Sequence, residues 1–306
     1  MSNQLLVFLL PRPYYWLMEK LKQYACGIFI LVFAGSAFIV WYAVFWIEGS
    51  YGTLVLEVMD VGQGDAIFVE AAGIQILIDG GPNDAVLTKL GDAMPFWDRS
   101  LDLVILTHPD KDHISGLLDV LERYRVDMIL WSGVQHSTAE YQEWLRLVEE
   151  EGAEIHLARA GQRLELGSSG AVFDILAPFT DGKGEFFGSL NDTSVVGLLR
   201  FWNVSALFMG DAAKMTEYRL LFESPEMLDA NILKAGHHGS KTSSSEAFLK
   251  IVSPQYAAIS AGKKNRYGHP HPEVIDILRN AGVKILRTDI QGTIRFVTDG
   301  ETWREF

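Results

Sequence analysis

Cysteine is almost absent: Cys26 is the only one in 306 residues. A single thiol excludes an intramolecular disulfide framework and any thiolate-rich zinc module. Positive charge is also in short supply. The chain holds 26 Lys and Arg against 39 Asp and Glu, a formal charge of −13. That balance argues against nucleic-acid binding through a globally basic surface and leaves room only for a local basic groove. Low hydrophobicity is missing too, since 48% of the residues are apolar and 21% charged, so the chain is not a disordered one. No internal repeat or low-complexity segment is present. The length suits one or two domains with a sizeable core.

Charge is missing altogether from residues 23–47, QYACGIFILVFAGSAFIVWYAVFWI. About 20 apolar residues span a bilayer, so a transmembrane helix is expected there. Trp41, Tyr42 and Trp46 sit towards one end, and Tyr14, Tyr15, Trp16 and Tyr24 towards the other, like a pair of interfacial belts. A cleaved signal peptide would have a shorter apolar region and a small-x-small site, which is not evident after Trp46. An uncleaved anchor is therefore expected. Residues 1–22 carry Arg12, Lys20 and Lys22 against Glu19, whereas no Lys or Arg follows the run until Lys89. The positive-inside tendency places residues 1–22 in the cytoplasm and everything after Glu48 outside the membrane. Cys26 begins the apolar run instead of ending it, which argues against a lipoprotein cysteine and for packing in the helix. Residues 14–24 read as a short interfacial helix, and LLVFLL (5–10) is too short to span.

Residues 49–306 read as one α/β domain. Strand-like runs stand at 53–58, 66–71, 74–79, 101–107, 195–201, 204–210, 230–236 and 256–262. Helical patterns separate the later ones, at 113–124, 137–151, 213–222, 244–252 and 273–281. The pattern at 137–151 opens with a Ser-Thr cap signal and ends on an acidic, solvated face. Residues 181–192, DGKGEFFGSLND, read as an exposed loop.

The most informative segment is LDLVILTHPDKDHISG (101–116). An apolar strand ends at Thr107, and His108, Asp110, Asp112 and His113 follow within six residues. Imidazole and carboxylate at this density suit a divalent cation such as zinc or manganese. Asp79, Asp211, the pair His237–His238, and His269 with His271 also follow apolar strands or precede a helix. Six of the eight histidines thus fall in three clusters. Ligand-type groups gathered at strand ends would build one open site.

The run T-H-x-D-x-D-H at 107–113 resembles the metal motif of the metallo-β-lactamase superfamily, usually HxHxDH, with Asp110 in place of the second His. More specifically, residues 54–303 resemble the hydrolase-like domain of the ComEC DNA-internalisation family. The resemblance rests on DVGQGDA (60–66), LIDGG (77–81), THPDKDHISG (107–116), GD at 210–211, GHHGSKTSS (236–244), NRYGHPHPEV (265–274) and TDIQGTI (288–294). That family normally carries a polytopic channel before this domain, for which there is no room here, so DNA transport is not carried over.

The resemblance implies a four-layer αββα sandwich, here preceded by one transmembrane helix. It implies that His108 and Asp110 bind a first metal, Asp112 and His113 a second, and that Asp211 bridges both. His237 stands where the superfamily has its last His ligand, with His238 as the alternative. The superfamily's middle His should fall near 190–194, where this chain has Asn191. A first site poor in imidazole shifts the preference from zinc towards manganese and allows one or two bound ions. Asp79 reads as an orienting carboxylate behind a metal-binding His, and Asp65 as a turn residue. Asp112 would also hold the attacking group, and His238 or His269 would supply a proton to a leaving alkoxide. His271 reads as structural, and His269 as a possible cap of the helix from Glu273. Residues 231–288 hold nine basic side chains, Lys234 among them, against three acidic ones. Ser240, Lys241 and Lys111 are the expected phosphate contacts, and Asn191 is expected beside Ser240 and Lys241 among the substrate-binding residues.

The expectation is a membrane-anchored metal-dependent hydrolase with an extracytoplasmic catalytic domain, acting on DNA phosphodiesters in connection with DNA uptake. A separate channel protein would be its partner. The rivals are hydrolysis of a lactone, β-lactam, nucleotide or phospholipid, and a non-catalytic DNA-binding or assembly component.

Overall fold

The structure, a computed structural model, describes residues 12–180 and 189–306. The chain divides into two units, residues 1–49 and 50–306. The 5–10 run, the side chains of Tyr14, Tyr15, Cys26 and Trp46, and residues 181–188 of the expected loop lie outside the described residues.

The first unit is dominated by one helix, α1 (Arg12–Tyr51). The separate interfacial helix expected over 14–24 is not a separate element. It runs without a break into the apolar segment, because neither Pro nor Gly intervenes between them to stop the helix. Between Trp16 and Tyr42, α1 contains an 18-residue window with a mean hydropathy of 2.1, none of it buried. Length and composition suffice to cross a membrane.

In the second unit, strands of three to seven residues, most of them apolar, form two sheets. The first has the order β15-β14-β1-β2-β3-β4-β5-β6 and the second β13-β12-β11-β10-β9-β8-β7. In the first sheet, β1 (Leu54–Val58), β2 (Ile67–Ala71) and β3 (Ile74–Ile78) form an antiparallel meander. β4 (Ser100–Leu106), β5 (Arg125–Trp131) and β6 (Glu154–Leu157) continue it in parallel. β14 (Ile294–Thr298) and β15 (Trp303–Glu305) close its other edge. In the second sheet, β7 (Arg163–Glu165), β8 (Ala171–Ala177), β9 (Val196–Phe201) and β10 (Val204–Phe208) are antiparallel. β11 (Ile232–Lys234), β12 (Tyr256–Ile259) and β13 (Lys284–Arg287) are parallel to β10.

Strands buried on both faces read as near-continuous apolar runs, which is why β4 and β10 stand out in the sequence. One core lies between the sheets and joins Leu56, Val69 and Ile105 to Phe173, Phe208 and Phe296. A second packs the outer face of the first sheet against α2 (Ala85–Ala93), α3 (Lys111–Leu121) and α4 (Ala139–Glu151), around Trp144 and Leu117. A third packs the outer face of the second sheet against α5 (Lys214–Glu223), α6 (Glu246–Val252) and α7 (Pro272–Asn280), around Leu220, Phe248 and Val274. The result is a four-layer αββα sandwich. Seven strands are not among the strand-like runs of the sequence: β5, β8 and β14, and the shorter β6, β7, β13 and β15.

The parallel strands of both sheets deliver their C-terminal ends to one edge, where crevices form in open α/β sheets. Close backbone contact there requires glycine. A Cβ on Gly116 would stand 1.9 Å from the Gly80 carbonyl oxygen, so α3 seats directly on the loop after β3. A Cβ on Gly64 would stand 2.2 Å from the Asp112 carbonyl oxygen. That contact lets Asp65 N–H donate to the same oxygen at 3.2 Å.

Candidate metal centre

Asp79 follows β3 with a left-handed backbone (φ 58°) and is wholly buried. Its Oδ1 accepts from the Thr107 N–H at 2.8 Å, and its Oδ2 from the Thr107 hydroxyl at 2.7 Å. His113 Nδ1 lies 2.8 Å from the same Oδ2 and donates to it, which leaves His113 Nε2 as a lone pair. The Thr107 hydrogen is committed to Asp79, so its oxygen accepts from His108 Nδ1 at 3.0 Å. His108 Nε2 is then a lone pair as well. One carboxylate thereby sets the tautomers of two imidazoles, an arrangement typical of outer-sphere partners.

Asp211 follows β10 and stands between two groups. Its Oδ1 lies 3.4 Å from His113 Nε2 and 3.6 Å from His238 Nε2. Its Oδ2 lies 3.9 Å from His108 Nε2 and 3.6 Å from His237 Nε2. On the Oδ1 side, His238 Nε2 is also 3.3 Å from Asp112 Oδ2. On the Oδ2 side, His108 Nε2 is also 3.4 Å from Asp110 Oδ2. Two subsites therefore share one carboxylate: Asp112, His113 and His238, and opposite them His108, Asp110 and His237.

The residues fit divalent cations. Ligand atoms held about 2.1 Å from one tetrahedral ion lie roughly 3.4 Å from each other, close to the separations found. Nε2 of His108, His113 and His238 and Oδ1 of Asp211 are buried with no hydrogen-bond partner. Buried polar atoms without partners are costly and rare, and here four of them converge. Four triads lie within 4.8 Å: His108–His113–Asp211 and Asp112–His113–His238, and two that include Asp65, Asp65–Asp211–His238 and Asp65–Asp79–His113. Asp110 and His237 join through single pairs, and their side chains are 38% and 25% exposed, while that of Asp112 is 31% exposed.

Charge follows the same plan. Burial pushes the Asp112 carboxyl up, but the close approach of His238 and the charge of His113 hold it down at about 2. Burial opposes ionisation of Asp211 as well, and the charges of His238 and His113 hold it well below the carboxylate range. Burial pushes His238 down, but Asp211 and Asp65 lift it to about 9. Asp211 and Asp79 similarly lift His113 against its burial. Without a cation, the buried negative charge is balanced by protons on imidazole.

Several expected residues stand elsewhere than the sequence suggested. His237 and His238 are not alternatives: both imidazoles face Asp211, from opposite subsites. Two successive left-handed residues (φ 48° and 54°) turn them there. His238, expected as a proton donor, is 1% exposed with Nε2 inside the cluster, so it sits in a ligand position and not at a mouth. Asn191 contacts His237 Nδ1 at 3.2 Å and backs that ring, beside Thr242 Oγ1 at 3.1 Å. Ser240 is 4% exposed, and its hydroxyl accepts from Thr242 within the turn, so it is closed to a phosphate. Lys241 next to it is exposed. Lys111 is paired with Glu140 at 2.7 Å.

His269 is half-buried, with its ring centroid 5.4 Å from that of His237 and stacked on Tyr267. Burial and the neighbouring imidazoles push it down to about 4. At neutral pH it is an uncharged imidazole without the extra proton that a leaving alkoxide would take. The N-cap of α7 is His271 and not His269, because the helix starts at Pro272. Asp65 is not merely a turn residue. It is buried and paired with the fully buried Lys234 at 2.6 Å, so Lys234 is withdrawn from the basic surface. Glu217, also missed, accepts from the Ser244 and Ser245 N–H groups and fixes the loop after His238.

The metallo-beta-lactamase superfamily model matches residues 59–263. The chain is 32% identical over 259 residues to ComE operon protein 3 of Bacillus subtilis, a match covering 79% of this chain and 32% of that protein. It is 29% identical over 249 residues to competence protein ComA of Neisseria gonorrhoeae, covering 79% and 32%. The chain thus spans about a third of the length of these relatives. Among solved structures, the metallo-beta-lactamase fold protein YhfI from Bacillus subtilis superposes with a TM-score of 0.51 at 15% identity, covering 80% of this chain and 99% of that one.

Proposed function

The chain belongs to the metallo-β-lactamase superfamily, and from that premise we propose that it is a membrane-anchored, metal-dependent phosphodiesterase that cleaves DNA. The observation that carries the hydrolase part is the convergence of four orphaned buried atoms on the two sides of Asp211. His108, Asp110 and His237 would hold one ion, and Asp112, His113 and His238 the other, with Asp211 between them. Zinc and manganese both suit this mixture of imidazole and carboxylate. When bound, such ions polarise a phosphoryl oxygen and lower the pKa of water.

The protein's own groups do the rest. Asp79 and Thr107 keep the His108 and His113 lone pairs aimed inward. Asp112, an ionised carboxylate beside the ion, would orient a water without acting as a strong base. His269 and Tyr267 line the approach to His237. The DNA assignment rests on the resemblance to the DNA-internalisation family and on charge. Lys263, Lys264 and Arg266 are exposed on the segment leading into His269, with Arg266 over the Tyr267 ring. Among the described residues, none of these three cations has an ion-pair partner, so all are available to a phosphate backbone. α1 would anchor the chain with residues 1–22 on the cytoplasmic side and the hydrolase unit outside, beside a separate channel.

Metal content and cleavage of single- and double-stranded DNA by the detergent-purified full chain test this reading. Manganese- or zinc-dependent cleavage that vanishes in Asp112→Ala/His113→Ala is expected. Bound metal with no cleavage of either DNA would sink the DNA assignment and return lactone, nucleotide or phospholipid substrates. Tight DNA binding without turnover would favour an assembly component.

A further inference from the structure

Behind His238 lies a charge pair that the metal ligands do not account for. Lys234, the last residue of β11, is wholly buried in a sheet whose neighbouring strands are apolar. Its ammonium donates to Asp65 Oδ2 at 2.6 Å and to the Ala235 carbonyl at 3.0 Å. Asp65 comes from the β1–β2 loop of the other sheet, 169 residues away in sequence. It is 1% exposed, and its second oxygen, Oδ1, lies 3.3 Å from His238 Nδ1. His238 is itself 1% exposed, and its Nε2 faces Asp112 and Asp211. Neither Asp65 Oδ1 nor His238 Nδ1 has a hydrogen-bond partner, so the two buried atoms meet as an ion-pair contact at 3.3 Å.

Burying an ion pair is expensive, and apolar side chains of the same volume commonly hold a fold as well or better. The placement therefore calls for a role beyond cohesion. Lys234 occupies Oδ2 and turns the carboxylate so that Oδ1 meets His238. We propose that Lys234 and Asp65 are a positioning pair for His238, holding its Nδ1 so that Nε2 serves the Asp112–His113 subsite. The pair does for His238 what Asp79 does for His113, and it does so across the two sheets. It acts on one subsite only: His108 is backed by Thr107, and His237 by Asn191 and Thr242. The proposal rests on the reading of the two subsites as metal-binding.

The test compares ion binding by full-length wild type and Asp65→Leu/Lys234→Met, a substitution that removes both charges together and avoids stranding one. Zinc and manganese titrations by calorimetry and metal analysis are read beside circular dichroism of the metal-free proteins. The expected result is a folded variant with one ion bound as in wild type and the other weakened by about 10–100-fold, the usual effect of losing an outer-sphere partner. Unchanged affinity for both ions, or equal loss of both in a folded variant, overturns the proposal. Should the double variant not fold, Asp65→Asn, which keeps the shape, is examined in the zinc-loaded state by histidine ¹⁵N spectra. The His238 ring resonances should then move while those of His108 and His113 stay. No movement at His238, or equal movement of all three, overturns it. Wild type that binds no metal refutes the metal-site reading itself, and DNA plays no part in any of these readouts.

Discussion

The two sides of Asp211 are built differently. On the Asp112 side, both imidazoles, His113 and His238, are buried although Asp112 itself is partly open, and a buried carboxylate stands behind each ring: Asp79 and Asp65. On the Asp110 side, only His108 is buried, Asp110 and His237 are partly open, and the groups behind the rings are neutral: Thr107, Asn191 and Thr242. A carboxylate behind an imidazole raises its basicity and fixes its direction. The closed side should therefore hold its ion tightly, and the open side should exchange its ion and meet the substrate. The shared position of Asp211 does not make the two subsites equivalent.

The most damaging way to break the comparison is to remove what both sides share. Asp211→Ala should empty both subsites and reduce hydrolysis on the order of 10³-fold or more, as read by metal analysis and by turnover of whichever substrate is established. Retention of one full ion equivalent would refute the bridging position. Separating the sides comes next. His237→Ala should weaken only the open side, and His238→Ala only the closed side, each by at least the roughly 10–100-fold that loss of an outer-sphere partner costs. Calorimetric titration should show the weak isotherm lost in the first variant and the tight one in the second. The reverse assignment would invert the argument from burial.

Part of this site is legible in the sequence. His108, Asp110, Asp112 and His113 lie within six residues at the end of an apolar strand, so no tertiary knowledge is needed to group them. Asp79 and Asp211 are legible as residues ending apolar runs. The division between His237 and His238 is not. It depends on consecutive left-handed backbones at non-glycine residues, which no composition signal announces. Asp65 and Lys234 are also hidden, because the default reading of a lysine is a solvated side chain and their partnership spans both sheets. Likewise the four layers follow from the recognised motifs, whereas β5, β8 and β14 carry charges whose burial or exposure is settled only by packing.

Acidity sharpens the comparison further. In metal-free protein, His238 is lifted to about 9 and His113 is also raised, while His237 is lowered by burial. A raised histidine contributes stability that is complete below its unfolded value near 6.5 and is lost as pH rises through the folded one. A lowered histidine has the opposite sign: its unfolded form binds more protons, so stability falls as pH drops below about 6.5. Metal-free protein should therefore lose stability on both sides of that pH, from the closed subsite above it and from the open one below it. For His238 the loss between pH 6.5 and 9 is about 3 kcal/mol at most. Thermal melts with and without chelator measure this. A metal-free profile flat from pH 6.5 to 9 would show that His238 is not held by charge.

The smallest effect comes from outside both subsites. Thr138 caps α4 on the outer face of the first sheet, and its hydroxyl accepts from the Tyr141 N–H at 3.4 Å. Thr138→Ala should cost about 1 kcal/mol, as cap losses do, and lower the melting temperature by roughly 2–4 °C in a domain of this size. α4 contributes no side chain to either subsite, so both ion affinities should stay at their wild-type values. If a loss of this size did change one affinity, the subsites would be responding to global stability. The selective losses expected of His237→Ala and His238→Ala would then need to be judged against that background, and equal stability changes with unequal affinity changes would be the result that keeps the two sides distinct.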